Sequence, residues 1–182
     1  MKNVKSFGNF SMYGEKDDVA KLFKKFNNVM KEVDMIPKNG YNRKDDYYYA
    51  RAEDIKNSLR TILADNRIFL SSTIEEIDEE KLQIRNKEYV RAKIKIRFGF
   101  HCIDTTAAIF VIYYGSGVDS WDKYLYKAYT GAIKYCLSNN LVLSTGTEED
   151  PEKYSDEYKD EKSSSKTEHY ENNKNNNTKN II

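Results

Sequence analysis

The sequence has few of the residues that build disulfide scaffolds, zinc sites and membrane spans. It holds two cysteines in 182 residues, and no run of 18 apolar residues occurs. Cys102 and Cys136 lie far apart and lack Cys-x-x-Cys spacing, so neither a disulfide framework nor a zinc site is indicated. The N-terminus lacks the apolar stretch of a signal peptide. We therefore expect a soluble, cytoplasmic protein that does not enter a membrane.

Catalytic motifs are also scarce. A nucleophilic triad needs a histidine, and the only one before residue 147 is His101, in a segment typical of a strand. No P-loop occurs, and Gly-Ser-Gly at 115–117 is too short to predict a phosphate site. We expect a protein that is not an enzyme and needs no cofactor or metal. The alternative is a metal-dependent nuclease built on nearby acids: Asp119 and Asp122 with Asp104 or Asp46.

The net charge of +1, from 30 Lys+Arg and 29 Asp+Glu, combines two regions of opposite sign. Residues 147–182 contain five apolar residues, six lysines and ten acids, and end in an Asn-rich stretch. Such a segment cannot bury enough surface to offset the entropy of ordering it, so we expect a disordered acidic tail. Residues 1–146 are left with 24 Lys+Arg against 19 Asp+Glu, about +5.

Hydrophobic periodicity predicts one α+β domain over residues 17–146, preceded by an N-terminal arm over 1–16. Gly115 and Gly117 are expected to break the last strand, and Asp119 or Ser120 to cap the last helix. The order of elements indicates an antiparallel β-meander packed against helices rather than a doubly wound sheet. The predicted elements are helix 17–34, loop 37–46, strand 47–50, helix 52–65, strands 68–77, 88–103 and 105–114, and a helix ending near Ser138.

One predicted strand carries a basic face. Apolar and charged residues alternate along YVRAKIKIRF at 89–98, which places Arg91, Lys93, Lys95 and Arg97 on one side. Their spacing suits phosphates along an extended nucleic-acid strand. The alternative is a solvated sheet face whose lysines discourage edge pairing.

The last helix carries a second basic face. Lys123, Lys127 and Lys134 fall within about 40° of one another on a helical wheel. The opposite side holds apolar residues such as Ala128 and Ile133, so the helix is amphipathic. An amphipathic helix needs some polar face, but one made only of lysines is unusual for solubility alone.

Tyrosine is abundant, with 15 in the chain and three in succession at 47–49. Adjacent strand residues point to opposite faces, so Tyr48 cannot share a face with Tyr47 and Tyr49. Lys44 and Arg51 flank this run. An exposed ring beside these cations would suit stacking on an unpaired base, whereas buried rings would fill the boundary of a sheet.

Two blocks resemble the ERF ("essential recombination function") family of phage and prophage single-strand annealing proteins. The longer is GSGVDSWDKYLYKAYTGAIKY at 115–135, which follows the family's Asp-x-x-Asp-Lys-Ala-x-x-Lys-Ala-x-Thr-x-Ala-x-Lys-Tyr pattern, with Tyr124 in place of the alanine after Asp-Lys. The family pattern ends in Thr-Gly and an acidic Asp-Pro, which appear here as STGTEEDPE at 144–152. The second block is YYYARAEDI at 47–55. The resemblance covers about residues 19–152.

The resemblance implies a non-catalytic protein that coats single-stranded DNA as a ring or filament and anneals it to a complementary strand without ATP. It also implies a core similar to that of other ring-forming annealing proteins. The resemblance also leads us to expect an interaction with a host single-strand-binding protein or with an exonuclease. By position, Lys123, Lys127 and Lys134 become the leading DNA contacts. An adaptor whose basic face binds an acidic protein remains an alternative.

Overall fold

The computed structural model describes residues 4–43, 45–84 and 86–146, which form three helices and seven strands. Lys44 and the predicted tail at 147–182 lie outside the described residues. The elements in chain order are β1 (Val4–Phe7), β2 (Phe10–Tyr13), α1 (Lys16–Glu32), β3 (Gly40–Asn42), β4 (Tyr47–Tyr49), α2 (Ala52–Asp65), β5 (Ile68–Ile84), β6 (Lys87–Cys102), β7 (Ala108–Asp119) and α3 (Tyr124–Asn140).

The main sheet has five antiparallel strands in the order β1-β2-β7-β6-β5, and β3 pairs with β4 in a separate hairpin. Strands β5, β6 and β7 follow one another in sequence and in space, which confirms the predicted meander and the α+β class. Strands β5 and β6 pair from Ile68 opposite Cys102 to Ile84 opposite Lys87. Asn86, at φ 60°, occupies the left-handed region in the turn between them.

The three helices pack against one face of the sheet. Ile94, Ile96, Phe98 and Phe100 on β6 are almost fully buried beneath them, together with Leu22 of α1, Ile55 of α2 and Ala132 of α3. Burial of each large side chain contributes roughly 1.5–3 kcal/mol. No described helix covers the other face, which we call the open face. The alternation predicted for β6 is confirmed, because its cations all lie on the open face.

The predicted break at Gly115 and Gly117 is wrong, because β7 runs through both glycines to Asp119. Their role is to let α3 approach the strand closely. A Cβ atom added at Gly115 would lie 2.1 Å from the carbonyl oxygen of Ala128. A Cβ atom added at Gly117 would lie 2.2 Å from the carbonyl oxygen of Tyr124. Only glycine leaves room for the helix backbone at this distance.

The start of α3 also differs from the prediction. Neither Asp119 nor Ser120 caps the helix, which begins at Tyr124 with Lys123 in the N-cap position. The carboxylate of Asp119 instead accepts a hydrogen bond from the Trp121 backbone N–H at 2.9 Å. This contact closes a turn between strand and helix, as aspartate side chains commonly do.

Two strands were not foreseen in the segment predicted as an arm, and one strand is longer than predicted. Strands β1 and β2 extend the sheet beyond β7, where Phe10 and Met12 pack against the core. Strand β5 continues through polar residues to Ile84, because β6 supplies cross-strand partners over its whole length.

Candidate nucleic-acid interface

The outer side of α3 combines exposed aromatic rings with lysines. Trp121 and Tyr126 are 79% and 73% exposed, the two most exposed aromatic side chains in the described chain. Lys123 and Lys127 lie beside them. Tyr126, Lys123 and Lys127 line a shallow open depression of about 510 Å³ together with Asp122 and Thr130, and Trp121 lies in the turn that precedes α3. Rings for stacking and cations for phosphates therefore occur together on one surface.

Contacts with the preceding turn hold Lys127 in place. Its ammonium group forms an ion pair with Asp119 and donates to the Val118 carbonyl oxygen at 3.0 Å. The Lys127 ammonium group, and next the Trp121 N–H, lower the pKa of Asp119. Asp119 thus fixes the turn that carries Trp121 and orients Lys127 beside it.

Lys134 lies two to three turns further along α3 and is half-buried. Its ammonium nitrogen is 5.5 Å from the centre of the Tyr49 ring, a cation–π contact. Burial lowers the pKa of Lys134. No acidic side chain in residues 4–43, 45–84 or 86–146 pairs with it. A phosphate oxygen would supply the missing anionic partner.

The tyrosine-rich β3–β4 hairpin therefore meets α3, which joins two of the clusters predicted from sequence. All three rings of the 47–49 run are exposed. Tyr48 turns towards Tyr41, with ring centres 4.8 Å apart, while Tyr47 and Tyr49 lie 6.1 Å apart on the other side. The predicted separation of Tyr48 from its neighbours is confirmed. Arg51 is exposed directly before α2, and its backbone N–H donates to Asp54 at 2.8 Å.

The basic ladder of β6 lies on the other side of the sheet and faces acids that the sequence did not place there. Arg91 pairs with Glu80 at 3.1 Å, Lys95 with Glu76 at 2.6 Å, and Arg97 with Glu75 at 2.6 Å. Lys93 stands opposite Asp78 in the register. Strand β5 thus largely neutralises the ladder, which weakens its attraction for an anionic polymer.

The acids proposed for a nuclease site do not come together. Asp104 lies in the β6–β7 turn, where Lys25 at 2.8 Å and Arg67 hold it, whereas Asp119 ends β7. The 12 residues of β7 separate the two by roughly 35 Å. Within the described ranges, no three His, Cys, Asp or Glu side chains are grouped to hold a metal ion. That part of the chain also has no helix long and apolar enough to cross a membrane.

Comparison with protein families matches the chain to the ERF superfamily over residues 22–180. The chain belongs to the ERF superfamily. Membership points to phage-type recombination by strand annealing, and annealing proteins of this family are generally not catalytic enzymes. No curated protein and no solved structure shows significant similarity to the chain.

Two exposed rings of this ERF protein were not singled out from the sequence. Trp121 and Tyr126 lie within the family block. A helical wheel shows only which side of a helix a residue occupies, not whether its side chain is exposed. Trp121 precedes the helix, so its exposure depends on the turn that Asp119 closes. The available signal was the pattern Asp-x-x-Asp-Lys, which encloses the tryptophan between charged residues.

Proposed function

We propose that this protein binds single-stranded DNA along the outer side of α3 and anneals it to a complementary strand without ATP. The observation that carries the proposal is the combination of the exposed Tyr126 ring with Lys123 and Lys127 around one open depression, next to the turn that exposes Trp121. Aromatic rings stack on bases of any sequence, and lysines bind the backbone without reading bases.

Annealing requires a backbone that is held while the bases remain free to find partners. Lys123, Lys127 and Lys134 extend over about 16 Å of α3, since 11 residues separate the first from the last. Cations at this spacing bind phosphates along one strand and leave the far edges of the bases uncovered. Binding of this kind weakens steeply with salt, because it releases counterions.

The α3 side is favoured over the β6 ladder as the principal DNA surface. Lys123 has no ion-pair partner among the residues that the structure describes, and Lys134 faces a ring rather than an acid. On β6, by contrast, three of the four predicted cations are already paired with glutamates. Tyr48 and Arg51 complete the proposed surface on the side of the β3–β4 hairpin, and Lys44, which lies outside the described residues, stays a predicted DNA contact.

A homo-oligomer, as a ring or filament, would repeat these sites along one strand. Each subunit contributes only a few phosphate contacts, so linking subunits multiplies modest affinities. A partner exonuclease would supply single strands, and a host single-strand-binding protein would compete for them. Both partners follow from the family role in recombination rather than from a surface of the chain.

The deciding experiment measures fluorescence anisotropy of a labelled single-stranded oligonucleotide with the full chain over a series of salt concentrations. The variant Lys123→Ala/Lys127→Ala should bind more weakly and should flatten the salt slope by about 0.7 per lost phosphate contact. Lys24→Ala/Lys31→Ala on α1 is the matched control, because both lysines are exposed and the net charge changes equally.

If the two double variants lose the same affinity for the oligonucleotide, the loss is due to the change in net charge alone, and the α3 site is overturned. A second assay follows complementary oligonucleotides without ATP and without added metal. Duplex formation faster than in the absence of protein supports annealing. Shortening of the oligonucleotide on addition of Mg²⁺ would instead support a nuclease.

A further inference from the structure

The open face of the sheet has an aromatic end. Phe69, His101 and Phe110 form a row across β5, β6 and β7, with ring centres 6.0 Å and 5.6 Å apart. Phe69 is 58% exposed at the end of this row, on the edge strand β5, and His101 lies between the two phenylalanines. Antiparallel sheets usually present polar side chains on a solvated face. A row of rings on an uncovered face is instead typical of a surface that binds another protein.

The rest of this face carries two parallel rows of opposite charge. Glu76, Asp78 and Glu80 lie on β5, and the register places Lys95, Lys93 and Arg91 directly beside them on β6. Asp78 and Lys93 are directly opposite each other in the strand register but form no ion pair with each other or with any other described residue. One acidic and one basic side chain therefore remain available for an outside partner.

These two rows make the face complementary to itself. Consider a two-fold axis that runs parallel to the strands, above the open face and midway between β5 and β6. Rotation about this axis places β5 of each copy over β6 of the other. It leaves the position of every residue along the strand direction, here called its height, unchanged. Each acid then faces the cation at its own height, and Phe69 of each copy faces His101 of the other. We propose that a second copy of this chain packs on the open face in this way, as an isologous dimer.

The size of the contact predicts its strength. Sixteen β5–β6 pairs give a surface roughly 50 Å long and about 10 Å wide, or roughly 500 Å² per copy. Twice this area lies at the low end of specific interfaces, so we expect association in the micromolar range. This contact joins copies only in pairs, so the ring or filament proposed above needs a second, heterologous contact. It leaves α3 free because α3 lies on the other face.

The test is sedimentation velocity of the full chain without DNA, at roughly 1 to 100 μM, where a micromolar dimer dissociates. Phe69→Glu should weaken association by about tenfold or more, since it sets a carboxylate against the aromatic row of the other copy. Ile77→Glu is the matched control. Ile77 lies on the same strand and is 52% exposed, but it points to the helix-covered face.

A second pair of variants tests the charge rows. Lys93→Asp should weaken association because it places acids at one height in both copies, and Asp78→Lys/Lys93→Asp should restore it. Circular dichroism confirms that each variant is folded. A monomeric wild type, equal effects of Phe69→Glu and Ile77→Glu, or failure of the double exchange to restore association would each overturn the interface. Loss of DNA binding in a protein that still dimerises would count only against the α3 site.

Discussion

The ammonium group of Lys134 lies 5.5 Å from the centre of the Tyr49 ring, and this contact connects α3 to the β3–β4 hairpin. The two residues are 85 positions apart in the chain. A lysine that is half-buried against a ring, without an acidic partner in the described chain, keeps its charge at a cost in solvation. An anionic ligand would recover part of that cost.

The pH dependence of DNA binding should reveal this lysine. Burial lowers the pKa of Lys134, so on raising the pH it loses its proton before lysines with the ordinary value of about 10.4. Lys134→Arg stays protonated throughout. Between pH 7 and about 9.5 the wild type should therefore lose more affinity for single-stranded DNA than Lys134→Arg does. Lys127→Arg is the control, and parallel curves for wild type and Lys134→Arg would remove Lys134 from the DNA contact.

Trp121 provides a direct optical test of stacking because it is the only tryptophan in the chain. Its emission should be quenched when an oligonucleotide of thymidines binds. Trp121→Ala should weaken binding by about 1–3 kcal/mol if one base stacks on the indole. Tyr135→Ala, which removes an exposed ring from another side of α3, should have little effect. Unchanged emission at saturating DNA would show that the indole does not contact the bases.

The glycines of β7 and α3 should respond in opposite directions to alanine. Gly115→Ala places a methyl group against the Ala128 carbonyl oxygen and should destabilise the fold by about 1–3 kcal/mol. Gly131→Ala, within α3, meets no atom within 4 Å and should stabilise the fold by about 0.5–1 kcal/mol. Urea unfolding followed by circular dichroism measures both. Equal stability of the two variants would contradict the close approach of α3 to β7.

Asp104 should contribute stability at neutral pH that disappears in acid. Lys25, and next Arg67, lower the pKa of this carboxylate in the folded state. Its contribution is therefore complete above the unfolded pKa near 4 and is lost as the pH falls through the lower folded pKa. Asp104→Asn should have a lower melting temperature than the wild type at pH 7, and this difference in melting temperature should disappear below about pH 4. Asp34→Asn, an exposed acid without a described ion pair, should show no such difference.

Local periodicity was sufficient for α1 and α2 and for the face of each β6 residue. The pattern of Leu22, Phe26 and Val29 predicted α1 to within two residues at either end, because burial on one side of a helix leaves a regular trace in sequence. Alternation along β6 likewise separated Ile94 and Ile96 from the cations between them.

Contacts between distant segments could not be predicted in this way. The glutamates of β5 neutralise Lys95 and Arg97, but nothing in either strand specifies the register that joins them. Gly115 and Gly117 looked like strand breakers, because the helix backbone that they accommodate follows later in the chain. The site was therefore predicted as a set of lysines, whereas its aromatic half depended on a turn visible only in three dimensions.

Gly115 and Gly117 of β7 also affect the entropy change that would accompany DNA binding. Because α3 rests directly on the strand backbone, its lysines project from a support that does not need to order itself when a ligand arrives. Nearly all of the conformational entropy lost in a complex would then come from the flexible nucleic acid. The favourable entropy would come from released counterions, so calorimetry should show an entropy gain that shrinks as salt is added.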